Sequence, residues 1–212
     1  MTLQRSGDPL FLFDLDGVIT VEESLVAIDR ALGLNGELAA DTRAACLSAR
    51  PGHDYAADLV GRLMRLAPFP VSLISDIIAG LGLHAEIVGF IASESNRCVI
   101  VSSNLECFCR PLATKIGCKA FFSSCAIASG HICGPVRVID KRAVVDRYKA
   151  LGHTVVMIGD GANDAPAMRV AHHSIAAAYA PCPSPHAIAA AGKTVTSPAQ
   201  LIGELSLFRA RT

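Results

Sequence analysis

The chain has 212 residues, of which 51% are hydrophobic and 18% are charged, and its mean hydropathy is +0.42. This composition excludes an intrinsically disordered chain and predicts a folded domain with its own core. The 19 basic and 19 acidic side chains balance without long blocks of one sign, which argues against nucleic acid or an anionic membrane as a partner. The apolar runs are shorter than the roughly 20 residues that cross a bilayer, and none resembles a secretory leader. We therefore expect a cytoplasmic protein whose partner is a small molecule.

The first predicted element is a short buried strand over residues 10–13, where an apolar run ends in the sequence "DLDG". Two carboxylates, Asp14 and Asp16, therefore follow the strand one residue apart. This arrangement is costly unless a cation lies between them or one of them is protonated. Gly17 then permits a tight turn. The pattern indicates a functional site at the end of the strand.

The next segment, residues 21–92, has the periodicity of helices. Apolar residues recur at helical spacing over 22–33 and stop at a glycine, and similar patterns cover 55–66 and 71–81. The sequences "RPG" and "APFP" are predicted breaks between helices. This segment is therefore expected to be helical throughout.

Two later apolar runs end abruptly in small or acidic residues: "RCVIVSSN" over 97–104 and "TVVMIGDG" over 154–161. Such continuous runs are typical of buried strands in a parallel sheet. Between them the sequence predicts a helix over 105–117, a β-hairpin with its turn at Ser129-Gly130, and a helix through "KRAVVDRYKALG". The alternation predicts an α/β fold with an open parallel sheet, which binds ligands at the carboxyl ends of its strands.

The eight cysteines form no CxxC pair, and the closest two stand in "CFC" at 107–109. Most of them lie beside apolar neighbours. We predict free, buried thiols that pack as small hydrophobic side chains, rather than disulfides or metal ligands.

If the three predicted strands are neighbours, their ends bring a set of polar side chains together: Asp14, Asp16, Ser102, Asp160 and Asp164. Carboxylate oxygens suit Mg²⁺, which takes one or two carboxylates and keeps positions for water and phosphate. Lys141 can supply a cation, with Lys115 and Lys119 as competitors, and the Ser102 hydroxyl can hold a phosphate oxygen. The set predicts phosphoryl chemistry, in which a carboxylate can be the nucleophile.

The sequences "FDLDGVIT" and "VIVSSN", Lys141 and the sequence "GDGANDAPAM" resemble the four ordered motifs of the haloacid dehalogenase superfamily. They occur in the order of that family and spread over residues 11–168. The resemblance implies a Rossmann-like core formed by residues 1–20 and 93–212, with residues 21–92 inserted after the first motif as a helical cap.

The resemblance also implies a role for each motif residue. It identifies Asp14 as the nucleophile and Asp16 as the general acid/base, which protonates the leaving alcohol and then activates water. It implies a Mg²⁺ ion held by Asp14, the backbone carbonyl of Asp16 and Asp160, with Asp164 supporting the ion directly or through water. The implied ligands of the phosphoryl group are Ser102, Ser103, Lys141 and Asn163.

The sequence "GDGANDAPAM" taken alone is also similar to the P-type ATPases, which share this fold. Those pumps carry a lysine after the nucleophile, whereas this chain has Asp16 two positions after Asp14 and no membrane-spanning run. The second aspartate supplies the acid/base that hydrolysis needs. The sequence therefore favours a phosphatase over a pump or a dehalogenase.

Within the superfamily the chain resembles the phosphoserine phosphatases, which place a helical cap directly after the first motif. Glu23 matches the acid with which that family reads its substrate, and Arg62 corresponds by spacing to its substrate-reading arginine. These charges suit the ammonium and the carboxylate of an amino-acid phosphate. The chain departs from the family at Ser103 and Asn104, where two glycines are usual, and at Gly17, where a serine is common. Phosphoserine is the leading substrate candidate.

Several alternatives stay open. The chain could be a phosphatase for another small phosphate ester, or a phosphotransferase or phosphomutase, since those relatives also carry both aspartates. A non-catalytic sensor of a phosphorylated ligand is a further alternative, although such a sensor does not need Asp16. His53 and His131 are assigned to turns, and His172 and His173 to surface or capping positions about two helical turns after Asp164.

Overall fold

The computed structural model describes residues 9–47 and 54–208, and its main feature is a six-stranded sheet with helices on both faces. The strands of the chain are β1 (Pro9–Phe13), β2 (Cys98–Leu105), β3 (Lys119–Ser123), β4 (Ile127–Ala128), β5 (His131–Ile132), β6 (Thr154–Gly159), β7 (His173–Ala177) and β8 (Lys193–Val195). The helices are α1 (Ser24–Leu32), α2 (Glu37–Leu47), α3 (Tyr55–Met64), α4 (Val71–Ala79), α5 (Ala85–Ser93), α6 (Glu106–Ile116), α7 (Lys141–Ala150), α8 (Ala165–Val170), α9 (Pro185–Ala190) and α10 (Pro198–Ser206).

The six-stranded sheet is parallel and has the strand order β3-β2-β1-β6-β7-β8. The α/β fold predicted from the sequence is confirmed, and the three predicted strands, β1, β2 and β6, are neighbours. The chain order reverses between β1 and β6. In an open parallel sheet the carboxyl ends of the strands form a crevice at such a reversal. The two aspartates that follow β1 therefore lie where this fold binds ligands.

The central strand β1 is apolar on both sides because both faces of the sheet are covered. Phe11 and Phe13 belong to the core on one face, where the ring of Phe11 meets that of Phe90 in α5 at 5.3 Å between centroids. Leu10 and Leu12 pack on the other face, against α7 and α8. This two-sided burial explains why the strand is a continuous apolar run rather than an alternating one.

The helices predicted over residues 21–92 are confirmed where the chain is described. Helix α1 ends at Gly33, which has the left-handed φ of 66° that glycine adopts easily. Helix α3 begins after Asp54, whose carboxylate accepts hydrogen bonds from the amides of Ala56 and Ala57. The break predicted at "RPG" and the turn predicted at His53 lie outside the described residues.

The segments that lead into α1 and out of α4 pair with each other. Thr20 and Leu83 form an antiparallel bridge, and the amide of Val21 donates to the carbonyl of Gly82 at 2.9 Å. Helix α5 lies beyond this bridge and packs on the sheet through Phe90. The division into a core of residues 1–20 and 93–212 and a cap of residues 21–92 stays a prediction.

The predicted β-hairpin is present as β4 and β5. Its two turn residues, Ser129 and Gly130, have positive φ values of 50° and 77°, as a two-residue hairpin turn of this kind requires. Gly130 also accepts a hydrogen bond from the amide of Val71 at the start of α4. The histidines His172 and His173 are exposed, as predicted. They lie at the start of β7 rather than on a helix, because α8 ends at Val170.

All eight cysteines are free thiols, as predicted. The prediction that they are buried is right for Cys98 and Cys109 and wrong for the others, since Cys133 is exposed and the remaining five are half-buried. No helix within residues 9–47 and 54–208 is long and apolar enough to cross a membrane.

Candidate active site

The ends of β1, β2 and β6 meet at a cavity of about 100 Å³. Its floor contains predicted residues that follow these strands or end β2: Asp14, Asp16, Ser102, Ser103, Asp160 and Asn163. Glu23 and Arg62 line the same cavity from the side of α1, α2 and α3. Lys141 and Asp164 lie buried in contact with this floor. The structure therefore brings together all the site residues predicted from the sequence.

Lys141 joins two of the carboxylates. Its Nζ lies 2.8 Å from Oδ1 of Asp14 and 2.7 Å from Oδ1 of Asp164, and the lysine is only 3% exposed. It is the first residue of α7, whose N-cap Asp140 accepts a hydrogen bond from the amide of Ala143. The helix start thus aims Lys141 at the sheet, whereas Lys115 and Lys119, the other two lysines considered from the sequence, are exposed.

The cluster carries more carboxylates than positive charges. Burial raises the pKa of Asp14 to about 8, the charge of Asp164 adds to the rise, and Lys141 opposes it. Burial also raises the pKa of Asp160 well above its usual range, with the charges of Glu23 and Asp14 adding to it. For Lys141 burial alone would lower the pKa, but Asp14 and Asp164 raise it above its ordinary value. Without a cation the cluster therefore favours additional protons.

These residues fit a divalent cation. One oxygen from each of Asp14, Asp160 and Asp164 lies within 4.8 Å of the others, and all three residues are buried. Both oxygens of Asp164 already accept hydrogen bonds, one from Lys141 and the other from the amides of Asp160 and Gly161. Asp14 and Asp160 are thus the freer ligands. Hard oxygen donors of this kind suit Mg²⁺.

The tight turn after β1 depends on Gly17. Its φ is +68°, and a Cβ atom there would lie 3.0 Å from Oδ2 of Asp160 and 3.0 Å from Cβ of Ala180. Glycine is the residue that adopts this backbone conformation without strain and lets the turn pass beside Asp160. The serine common at this position in phosphoserine phosphatases would crowd this carboxylate in the present geometry.

Asp16 is held by a hydrogen bond on each oxygen. The hydroxyl of Ser24 donates to Oδ1, and Nδ2 of Asn104 donates to Oδ2 at 2.7 Å. Burial raises the pKa of Asp16, while the hydrogen bonds from Ser24 and Asn104 and the charge of Lys141 oppose the rise. The carboxylate is therefore fixed in orientation from two different elements, α1 and β2.

Strand β2 ends in a bulge that exposes polar groups to the cavity. Ser102 pairs with Phe122 and Leu105 with Ser123, so neither Ser103 nor Asn104 has a counterpart on β3. The hydroxyl of Ser123 holds the bulge by donating to the carbonyl of Ser103 at 2.6 Å. Bulges of this kind turn side chains in a new direction beside functional sites. Ser103 and Asn104 of this bulge stand where two glycines are expected for the family.

The bulge and the loop after β6 contact each other. Nδ2 of Asn163 donates to the hydroxyl oxygen of Ser103 at 3.0 Å, and the amide of Asn104 donates to that of Ser102 at 3.3 Å. The hydroxyls of Ser102 and Ser103 and the side-chain amide of Asn163 therefore belong to residues that line the same cavity as Asp14. Groups that can donate in this way bind the oxygens of a phosphate.

The wall opposite the carboxylates carries one acidic and one basic side chain. Burial, with the charges of Asp16 and Asp14, raises the pKa of Glu23 to about 8, and Arg62 opposes the rise. Arg62 donates from Nη1 to Oγ1 of Thr42 at 3.3 Å, and its buried Nε has no partner among the residues described. Arg62 thus lines the cavity with a guanidinium whose hydrogen-bonding capacity is only partly used.

Comparison with known proteins places the chain in a family. The model of the haloacid dehalogenase-like hydrolases matches residues 9–172, which is more than half of the chain. The chain belongs to this family. The confirmed resemblance covers the motifs at the ends of β1, β2 and β6 and the helix that carries Lys141.

Relatives of this haloacid dehalogenase-like hydrolase include phosphoserine phosphatases. The chain is 27% identical over 170 residues to phosphoserine phosphatase SerB2 of Mycobacterium tuberculosis, covering 73% of the chain and 40% of that relative. It is 24% identical over 180 residues to the phosphoserine phosphatase of Lactococcus lactis, covering 79% and 82%. A substrate-bound phosphoserine phosphatase structure covers 95% of the chain, is itself covered to 99%, and has a TM-score of 0.78 at 20% identity. This last likeness shows the shared fold.

Two residues that contact the predicted acid/base were not identified from the sequence of this hydrolase. Asn104 stands directly after Ser102 and Ser103, so its polarity at the end of a buried strand was a usable signal. Ser24 follows Glu23 at the start of a helix, where serine is common and carries no such signal.

Proposed function

We propose that this hydrolase is a magnesium-dependent phosphomonoesterase that acts through an aspartyl-phosphate on Asp14. Its substrate is a small phosphorylated metabolite, with phosphoserine as the leading candidate. The observation that carries the proposal is the pair of aspartates after β1. Asp14 is held by a buried lysine, and Asp16 is held separately by Ser24 and Asn104. Hydrolysis requires both a nucleophile and an acid/base, and the two carboxylates have the separate environments that such roles need.

Asp14 is suited to the nucleophilic role because one of its oxygens stays available. Oδ1 accepts hydrogen bonds from Lys141 and from the amide of Leu15 at 2.7 Å. Oδ2 has no hydrogen bond among residues 9–47 and 54–208. In the first step Oδ2 attacks the phosphorus, a bond from Oδ2 to phosphorus forms, and the ester bond from phosphorus to the alcohol oxygen breaks.

Asp16 handles the proton in both steps. In the first step it gives a proton to the alcohol oxygen as this oxygen leaves. In the second step it takes a proton from a water molecule that attacks the phosphorus of the aspartyl-phosphate, and the bond from phosphorus to Asp14 breaks, releasing phosphate. Ser24 and Asn104 keep the carboxylate in the orientation that these transfers need.

The remaining polar residues bind the phosphoryl group and the metal. Ser102, Ser103, Asn163 and Lys141 are the proposed ligands of the phosphoryl oxygens, and Asp14, the carbonyl of Asp16, Asp160 and Asp164 are the proposed Mg²⁺ site. The ion supplies positive charge that offsets the carboxylates and the phosphoryl oxygens.

The cavity supports a small substrate with charges of both signs. A volume of about 100 Å³ limits the substrate to a small metabolite. The guanidinium of Arg62 supplies donors for a substrate carboxylate, and Glu23 is an acceptor for an ammonium group. Helices α1, α2 and α3 cover the cavity, and such a cover excludes bulk water during phosphoryl transfer.

The test is phosphate release from a panel of phosphomonoesters, including phosphoserine and sugar phosphates, with Mg²⁺ and with a chelator. We expect release that depends on Mg²⁺, fastest with phosphoserine, and no turnover in a folded Asp14→Asn variant. Retained activity in that variant, or activity insensitive to the chelator, would contradict the mechanism. Release from other esters alone would keep the mechanism and reject the roles of Glu23 and Arg62. Phosphate transfer to an added alcohol in preference to water would indicate a phosphotransferase.

A further inference from the structure

The side-chain amide of Asn104 is hydrogen-bonded to Asp16 through its nitrogen only. Nδ2 donates to Oδ2 of Asp16 at 2.7 Å, whereas Oδ1 is buried and has no partner in the part of the chain that the structure describes. An unpartnered buried amide oxygen is unfavourable. A side chain selected only for stability would be expected to satisfy both ends, so the contact with Asp16 points to a functional role.

The bulge at the end of β2 fixes the direction of this side chain. The carbonyl of Ser103 accepts a hydrogen bond from Ser123, and the amide of Asn104 donates to the hydroxyl of Ser102. The peptide group between Ser103 and Asn104 is therefore held at both its carbonyl and its amide, and Asn104 is only 5% exposed. Two glycines at these positions, as expected for the family, would provide no side chain to reach Asp16.

Asn104 and Ser24 hold Asp16 from opposite sides of the site. Ser24 belongs to α1, and Asn104 belongs to the sheet. An amide nitrogen can only donate, so Asn104 holds Oδ2 of Asp16 as an acceptor, while the hydroxyl of Ser24 can donate or accept. Ser24 therefore holds one oxygen of Asp16 from α1 and Asn104 holds the other from the sheet, so the two contacts together set the plane of the carboxylate.

We propose that Asn104 is a positioning residue for proton transfer, which orients Asp16 towards the oxygen of the leaving alcohol. The assignment rests on the proposed phosphomonoesterase function. Proton transfer depends on the distance and alignment between the acid and the leaving oxygen. The contribution of Asn104 therefore depends on how much the leaving group needs a proton.

The test compares two leaving groups in the full chain with saturating Mg²⁺. The oxygen of 4-nitrophenyl phosphate leaves readily without a proton, whereas the oxygen of an alkyl phosphate needs one. We expect Asn104→Ala to lower the rate constant of the first step, measured as release of the alcohol in a single turnover with enzyme in excess. This rate constant should fall by roughly 10- to 100-fold for the alkyl ester, a part of the contribution of a general acid, and by less than about threefold for the aryl ester. The second step contains no leaving group, so any loss in its rate constant should be the same for both esters.

Two further variants distinguish an effect on the orientation of Asp16 from a general disturbance of the bulge at the end of β2. Ser103→Ala alters the same bulge without a contact to Asp16, so it should lower activity on both esters by a similar factor. Asn104→Leu keeps the approximate shape of the side chain and removes the donor, and it should reproduce the pattern of Asn104→Ala. It provides the same comparison if the alanine variant fails to fold.

An equal loss of the first-step rate constant on both esters in the Asn104 variants, or a change in KM alone, would overturn the assignment and leave the proposed function standing. An unmodified protein that hydrolyses neither ester would overturn the proposed function and this assignment with it. A loss confined to the alkyl ester would support the assignment.

Discussion

The ammonium of Lys141 lies between two buried carboxylates, Asp14 and Asp164, and it is nearly inaccessible to solvent. Charges taken out of water are stable only while they are paired, and removing one partner leaves the other uncompensated. At the scale of single residues, Lys141 is therefore expected to contribute both to the free energy of unfolding and to turnover.

We predict that Lys141→Met lowers the free energy of unfolding of the metal-free protein by about 3–5 kcal/mol and abolishes turnover, because two carboxylates lose their counterion. The control is Lys115→Met, which alters an exposed lysine and should change stability by less than about 0.5 kcal/mol. Denaturant unfolding of both variants measures the difference. Equal stability of the two variants would show that Lys141 does not balance the buried charge.

Arg62 is the residue on which the phosphoserine assignment depends most. We predict that Arg62→Met raises KM for phosphoserine by roughly 10- to 100-fold, the worth of a charged hydrogen bond, because the substrate carboxylate loses its partner. The same variant should leave KM for 4-nitrophenyl phosphate within about threefold, because this ester has no carboxylate. Steady-state kinetics on both esters provide the comparison. A similar change for the two esters would reject Arg62 as the group that reads a carboxylate.

At the scale of elements, the turn after β1 places both aspartates, and it depends on a glycine for two separate reasons. Gly17 has a left-handed φ of +68°, and the space beside it is taken by Asp160 and Ala180. Gly33 at the end of α1 has a similar φ of +66° but nothing within 4 Å of an added Cβ. Alanine substitutions at Gly33 and Gly17 therefore separate two losses of stability. Both variants carry the strain of a left-handed backbone, but only Gly17→Ala adds a close contact with Asp160 and Ala180.

We predict that Gly33→Ala lowers the free energy of unfolding by about 1–2 kcal/mol, the cost of a left-handed backbone for alanine, and leaves activity unchanged. Gly17→Ala should lose more stability than that and should also need a higher Mg²⁺ concentration for half-maximal activity, because the carboxylate of Asp160 must move. Thermal unfolding and Mg²⁺ titrations of the two variants test this. If both variants lost the same stability and needed the same Mg²⁺ concentration for half-maximal activity, the contact of residue 17 with Asp160 would have no effect on the metal site.

The elements predicted from the sequence are those with strong local patterns. Continuous apolar runs predict β1, β2 and β6, and helical spacing predicts α1, α3, α4, α6 and α7. The strands β3, β7 and β8 were not predicted. β7 is the sequence "HSIAA", in which small residues pack as a strand only because neighbouring strands surround them, and β8 has three residues. Tertiary contacts therefore decide these strands.

In the candidate site too, some residues could be predicted from local sequence patterns, and others are identified only by contacts in the folded chain. Asp14, Asp16, Asp160 and Asp164 follow strand ends, so topology alone predicts that they converge. The contacts of Ser24 and Asn104 with Asp16 depend on a helix start and a bulge whose positions no periodicity indicates. Sequence therefore predicts which charges the site contains, while the structure is needed to identify what orients them.

At the scale of the whole molecule, the buried carboxylates couple folding to protons and to the metal. In the metal-free protein burial raises the pKa of Asp14 and that of Glu23 to about 8, from ordinary values of 3.8 and 4.5. Between those values the folded chain keeps protons that the unfolded chain has released. The free energy of unfolding therefore falls as pH rises from about 4 to about 8, because a raised carboxyl pKa stabilises the folded state only while the folded form stays protonated.

We predict that the Tm of the metal-free protein is lower at about pH 8 than at about pH 5.5, and that Mg²⁺ raises Tm more at the higher pH, where its carboxylate ligands are ionised. The Asp14→Asn variant should show a smaller pH dependence and a smaller effect of Mg²⁺. Thermal unfolding with chelator and with Mg²⁺ at both pH values measures this. A rise of the metal-free Tm towards the higher pH would contradict the sign derived from these carboxylates.

Asp14 is the proposed acceptor of the phosphoryl group, and the most direct test of this role uses an Asp16→Asn variant mixed with 4-nitrophenyl phosphate and Mg²⁺. The good leaving group permits the first step, and the missing base prevents hydrolysis of the product. Mass spectrometry of the quenched protein should find one added phosphoryl group in the peptide that contains Asp14, and none in Asp14→Asn/Asp16→Asn. A phosphoryl group on Ser102, or an adduct that persists in the double variant, would contradict Asp14 as the nucleophile.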